Sequence, residues 1–336
     1  MNSYGIMKIH SKIAEIDNEQ WQQLVEKSPV ASFFQTRECY DFYESLSFLE
    51  PFVFGVSEND KLKGLICGYV IADGGKIKRF FSRRAIIYGG ALLDENISEK
   101  ALETLFNFTV KSLKNKAIYI EIRNYNDYFP FKEKIEHTGF QYQQHFDIQL
   151  LINKETEQKI SNSKRREIKT AQKNGVQYVE TEDVAEIKEF YDILKNLYKK
   201  EIKLPLFPLE FFLKLPKLPQ SKILLIKHNN VIIGGVACVA LAKKTLYEWF
   251  ACGNKSVEKQ LYPSVMATYA GIDYAVKNGF SVFDFMGAGK PDKGYGVRDF
   301  KEKFGGNLVE YGRFLYICNN FLYQTGKFYI EKLRFL

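Results

Sequence analysis

Apolar and polar positions along the chain run through one series of patterns twice. Positions spaced for one helix face predict helices over residues 18–27 and 36–45, and again over 161–173 and 184–199. A strand pair follows each time: 51–57 with 62–71, then 222–227 with 231–241. The turns between them carry Asn59-Asp60 and Asn229-Asn230, which suit tight hairpins. Each half continues with a strand (85–89; 245–251), a long helix, a buried strand (117–123; 280–285), a short helix and a last strand (141–152; 308–317). The second long helix opens on Pro263 and closes at Gly279, the expected asymmetry of helix ends. The order predicts an α/β chain in which a mixed sheet is covered by helices on both faces.

The repetition extends to the letters. Phe131-Lys132-Glu133-Lys134 recurs as Phe300-Lys301-Glu302-Lys303, and the two hairpins align in nearly the same register, about 170 residues apart. A period this long means two similar domains rather than a solenoid. We expect one domain over 1–153, a second carrying the active site over 154–318, and an amphipathic helix over 319–336. That helix packs on its own domain or, as a basic and aromatic segment, lies on a membrane surface.

Composition narrows the class. With 336 residues, 46% hydrophobic and 26% charged, the chain is globular and long enough for two cores. The apolar stretch 231–242 contains two glycines and is too short to span a bilayer. The amino-terminal residues lack a secretory pattern, so a cytoplasmic place, with the inner membrane surface as an alternative, is expected. Five scattered cysteines read as buried free thiols, and no spacing suggests a metal site. The formal charge of +8 permits a polyanionic partner without demanding one.

Several residues bear candidate chemistry. The four histidines form no nucleophilic grouping with Ser or Cys. Asp284 ends an apolar strand, where a carboxylate serves as a base, orients an amine or caps the next turn. After it, Gly287, Gly289, Gly294 and Gly296 flank Lys290 and Lys293, a composition that lets backbone amides and ammonium groups approach an anion. Lys164, Arg165, Arg166, Lys169 and Lys173 crowd one predicted helix. Arg166, Lys169 and Lys173 form a stripe able to hold phosphates, or simply a solvated face. Phe207 lies in a proline-stiffened aromatic segment expected to shape an acceptor pocket. Alternation sets Tyr247 and Trp249 on the other face from Glu248, one of these faces lining the site.

The element order is that of the GNAT acyltransferase fold, present twice. The second half also resembles the Fem family through Ser163-Lys164-Arg165-Arg166-Glu167-Ile168-Lys169, Asn174-Gly175-Val176, Leu261-Tyr262-Pro263, Phe283-Asp284-Phe285-Met286-Gly287 and the segment Gly296-Val297-Arg298-Asp299-Phe300-Lys301-Glu302-Lys303-Phe304-Gly305-Gly306. The resemblance implies tandem GNAT-like domains that move an aminoacyl group from aminoacyl-tRNA to an amine of an anionic cell-envelope precursor, with no tightly bound cofactor. It implies that Lys301 stabilises the tetrahedral intermediate, and it adds Tyr262, Tyr295 and Arg298 to the candidate substrate-binding residues. An acetyl-CoA site would have a glycine-rich turn opening the long helix. Gln260-Leu261-Tyr262-Pro263-Ser264-Val265 has none, which argues against a standard acetyl-CoA enzyme. A coenzyme-A-dependent N-acyltransferase of surface polysaccharide synthesis and a catalytically inactive binding module stay open as alternatives.

Overall fold

The computed structural model describes residues 6–75, 79, 81–291 and 296–334, and in it the chain builds two mixed sheets. Strands of the first are β1 (Met7–His10), β2 (Glu50–Glu58), β3 (Lys61–Ile71), β4 (Arg84–Gly89), β5 (Leu92–Leu93), β6 (Tyr119–Asn124), β7 (Gln141–Gln143) and β15 (Arg313–Ile317). Those of the second are β8 (Phe146–Leu151), β9 (Gln177–Glu180), β10 (Ser221–His228), β11 (Val231–Leu241), β12 (Thr245–Gly253), β13 (Val282–Asp284) and β14 (Asn307–Glu310). The first sheet runs β1-β2-β3-β4-β6-β15-β7 with β5 against β3, and the second β14-β8-β13-β12-β11-β10-β9. Helices α1 (Asn18–Lys27), α2 (Arg37–Ser45), α3 (Glu99–Leu113) and α4 (Lys132–His137) belong to the first unit. To the second belong α5 (Thr156–Lys159), α6 (Asn162–Lys173), α7 (Val184–Leu197), α8 (Leu209–Lys214), α9 (Pro263–Lys277) and α10 (Gly296–Glu302). The closing helix α11 (Asn320–Arg334) returns to the first.

Local chemistry accounts for these elements. Asp17, Thr36, Ser98, Ser161 and Asp183 each accept a backbone N–H from the first turn of the helix they open. In α3, Ala101, Leu102, Leu105, Phe106, Thr109 and Leu113 form one buried face, set against Val56, Ile66, Ile87, Ile120 and Ile122 of the first sheet. The corresponding face of α9 enters a core with Leu224, Val236, Leu246 and Phe283.

The duplication is visible in backbone detail. In β2–β3 the register slips between Val56 and Ser57, and in β10–β11 between Ile226 and Lys227. Both turns then place two residues in the left-handed region: Asn59 and Asp60 at φ 50° and 60°, Asn229 and Asn230 at 49° and 63°. The helices α3 and α9 have 15 residues each.

The linear halves are not the compact units. One unit comprises residues 1–145 with 310–336, the other 146–309. The pattern over 141–152 predicts one strand, but β7 lies in the first sheet and β8 in the second. The segment 308–317 divides likewise into β14 and β15. The first crossing carries no glycine or proline and shows in the sequence only as the polar run Gln143-Gln144-His145. At the second crossing Gly312 marks the turn. It has φ +66°, and a Cβ there would lie 2.3 Å from the Tyr142 ring.

An ion triad closes the first exchange. Glu121 of β6 accepts from Arg123 Nη2 at 2.7 Å and from Arg313 Nη1 of β15 at 2.7 Å, while Arg313 Nη2 meets His145 Nε2 at 2.8 Å. Burial pushes the Glu121 carboxyl up, but the two guanidinium groups outweigh it and hold it well below the usual carboxylate range. Its stabilising share is therefore present at neutral pH and lost only in strong acid. Glu121→Gln should cost about 3 kcal/mol by leaving two arginines against a neutral amide. Urea unfolding measures this, and a loss below about 1 kcal/mol would show the triad to be dispensable.

Candidate functional site

The two sheets differ at the corresponding parallel strand pair. In the first, β4 and β6 stay paired from Arg84 opposite Tyr119 to Gly89 opposite Asn124. In the second, β12 and β13 pair only from Thr245 opposite Val282 to Tyr247 opposite Asp284, although β12 continues to Gly253. Beyond Tyr247 the strands part. β12 is also bulged there, because Ala237 faces Phe250 and Cys238 faces Glu248, leaving Trp249 as the extra residue. Parting parallel strands bares backbone groups and opens a place for a ligand at their carboxyl ends.

Two cations of α10 hold the segment that leaves β13. Lys301 Nζ donates to the carbonyls of Phe285 at 2.7 Å and Gly287 at 3.1 Å, and to that of Met286. All three hydrogens of the ammonium group are thereby engaged. Arg298 Nε donates to Ala288 O at 2.8 Å, its Nη2 to Lys290 O, and its guanidinium lies over the Phe146 ring at 4.8 Å. These contacts set the turn in which Met286 and Gly287 take φ of 52° and 47°.

Carboxyl groups surround the lysine. Asp284 is fully buried and accepts from Met286 N at 2.8 Å and from Gln149 Nε2 of β8 at 2.9 Å. It caps the turn and belongs to the acidic group around Lys301. Asp147 of β8 is 3% exposed and Glu248 of β12 6%. Burial and the neighbouring Asp147 push Asp284 well above the usual carboxylate range. Burial pushes Glu248 up to about 7, with Lys301 and the Thr268 hydroxyl pulling it back. Burial lowers Lys301, against the raising effect of Glu248, Asp147 and Asp284. Sequence reasoning missed Asp147 and Gln149 because it gave their strand to the first domain. Their signal was polar residues alternating with apolar ones in Phe146-Asp147-Ile148-Gln149-Leu150.

The other candidates fall into three groups. Lys164 is buried, pairs with Glu167 at 2.6 Å and lies over the Phe300 ring at 4.8 Å, so it fastens α6 to α10. Arg165 is half-buried beside Asn162, whereas Arg166, Lys169 and Lys173 are exposed along α6. Phe207 is half-buried and stacks on Phe211 with centroids 4.6 Å apart, in a cluster with Phe212, Trp249 and Phe250. The bulge interrupts the expected alternation: Trp249 and Phe250 both pack on Phe211, while Tyr247 is buried beside Asp284. Tyr262 is half-buried at φ 42°, directly before α9. Gly253 abuts this helix start so closely that a Cβ would lie 2.3 Å from Ser264 N. Lys290 is exposed; Lys293 and Tyr295 lie outside the described residues.

Residues 221–330, which include β12, α9, β13 and α10, match the model of the FemAB family. Over 92% of its length the chain is similar to the crystal structure of FemX, covering 98% of that chain with a TM-score of 0.68 and 15% identity. It is similar to a tandem GNAT protein from the clavulanic acid biosynthesis pathway over 94% of this chain and 99% of that one (TM-score 0.59, 8% identity). It is also similar to L-PGS from Bacillus licheniformis over 94% and 96% (TM-score 0.58, 13% identity). At these identities the structural likeness is one of fold, and comparison with curated protein sequences finds no match. The chain thus has a double GNAT-like fold, and its segment 221–330, which contains the parted strands, matches the FemAB family.

Proposed function

We propose that the second unit transfers an aminoacyl group from aminoacyl-tRNA to an amine on an anionic cell-envelope precursor. The observation that carries this reading is the parting of β12 and β13 with Lys301 at the opening, where the first unit keeps its strands paired. The amine nitrogen attacks the ester carbonyl and a C–N bond forms. The C–O bond to the ribose then breaks, and the proton lost by the amine leaves on the ribose oxygen. Lys301 contributes a fixed positive charge beside the developing oxyanion and holds the turn that borders it. The aromatic cluster around Phe207 forms the apolar wall of the acceptor site.

Two features favour tRNA over coenzyme A as the donor. Pro263 brings no N–H to the first turn of α9, and Gly253 lies against that turn. This leaves little of the amide cradle that a pyrophosphate uses. The exposed stripe Arg166, Lys169 and Lys173 supplies charge for an extended polyanion. Replacing all three with glutamine should weaken donor binding and lower its salt dependence by up to about three charges. Filter binding over a salt series checks this, and unchanged binding at low salt would leave the stripe a solvated face.

Stabilisation against heat by aminoacyl-tRNA, with none by acetyl-CoA, is the expected result for the donor. Stabilisation by acetyl-CoA alone would move the protein to coenzyme-A-dependent N-acyl transfer, and binding without turnover to an inactive module. Among the described residues no helix is long and apolar enough to cross a membrane. We place the protein in the cytoplasm, with Phe321 and Phe328, exposed on α11, available for contact with the inner membrane surface.

A further inference from the structure

Glu248 has no place in the scheme above, yet it stands at the same opening. It is the first residue of β12 beyond the last pair with β13, and its Cα partner on the other side is Cys238 of β11. The Thr268 hydroxyl of α9 hydrogen-bonds its carboxyl group, and its buried Oε2 has no hydrogen-bond partner among the described residues. A buried carboxylate oxygen left without a donor is costly unless an opposite charge compensates it. Lys301 is the cation of this buried group: it holds the Phe285, Met286 and Gly287 carbonyls just past the end of β13, where Glu248 is the first residue of β12 beyond the last strand pair, and while burial lowers its pKa, Glu248, Asp147 of β8 and Asp284 raise it. Asp284 is already committed to Met286 N–H and the Gln149 amide.

We propose that Glu248 is a positioning residue for the transfer, the counter-charge that keeps Lys301 an ammonium ion while its hydrogens hold the Phe285–Gly287 carbonyls. This rests on the reading of Lys301 as the charge that steadies the oxyanion. Burial alone drives Lys301 toward the neutral amine, which has one hydrogen fewer and would release a carbonyl. An ionised Glu248 opposes that change. Burial pushes Glu248 up to about 7, and it interacts with Cys238 and Lys301, so its ionisation and that of the lysine are linked.

A neighbouring carboxylate raises the pKa of an ammonium group, so Glu248→Gln lowers that of Lys301. The alkaline limb of the kcat profile then moves down by about one pH unit or more. At the acid end, where Lys301 is charged in either protein, E248Q should recover to within about threefold of the unaltered enzyme. Glu248→Asp, which keeps the charge, should leave the limb in place. A uniform fall in kcat with an unmoved limb would overturn the proposal and leave Glu248 a packing residue. If E248Q fails to fold, the unaltered protein still decides the matter. With the Glu248 carboxyl carbon and the Lys301 ε-carbon labelled, NMR titration should show the lysine signal moving as Glu248 ionises. A lysine signal that passes unchanged through that transition overturns the proposal. The titration needs no substrate, so it separates this inference from the functional reading, which fails instead if the unaltered protein transfers no acyl group.

Discussion

Lys301→Met should lower kcat about 100-fold or more, roughly 2.7 kcal/mol of transition-state stabilisation, with little change in KM. Methionine keeps the stem and the helix preference, but it can neither donate to the Phe285, Met286 and Gly287 carbonyls nor carry charge. The repeat supplies the control. Lys132 occupies the matching place in Phe131-Lys132-Glu133-Lys134, yet its ammonium lies over the Tyr142 ring at 4.1 Å. Lys132→Met should therefore leave the rate unchanged. Single-turnover kinetics on both variants, with a melting curve for each, make the comparison. Equal effects, or a Lys301 effect confined to KM, would move the residue from chemistry to structure or binding.

The largest loss of stability is expected in the aromatic cluster. Phe211 is fully buried, with ring centroids of Phe207, Trp249, Phe212 and Phe250 at 4.6, 5.0, 5.2 and 5.6 Å. Phe211→Ala removes the shared neighbour of all four and should cost about 4 kcal/mol. Phe207 is half-buried at the edge of the cluster. Phe207→Ala should cost less than half as much in stability and should raise the KM for the acceptor instead. Chemical denaturation and steady-state kinetics separate the two. Equal destabilisation with an unmoved KM would make the whole segment core, with no part in the acceptor site.

Much of the fold was legible in the sequence because the two hairpins and the repeated tetrapeptide are local signals. Asn59-Asp60 and Asn229-Asn230 force the same turn, and Pro263 and Gly279 mark a helix that the structure gives as Pro263–Lys277. The strand exchange was hidden because no glycine or proline stands between Gln141 and Ile152, and the polar run Gln143-Gln144-His145 is too short to read as a loop. Which sheet a strand joins is decided by pairing, as in the antiparallel register of β8 with β13. For the site, the sequence names Asp284 and Lys301 as candidates, and the structure brings them into one group of buried charges at the end of β13; their part in catalysis is a matter for the kinetic comparison above. Their partners Asp147 and Gln149 come from β8, a strand credited to the other half. Glu248 was read only through alternation, which a bulge at Trp249 interrupts. Lys164 is one of the basic residues that the sequence offers for substrate binding, and only packing shows that it is spent on Glu167 and Phe300.

If the acyl donor reacts where β12 and β13 part, a crystal structure with a stable amide analogue of 3′-aminoacyl-adenosine should show the analogue's carbonyl carbon between the two strands, within about 4 Å of Lys301 Nζ. An analogue seated against the first sheet, with the space between β12 and β13 left empty, would rule this out.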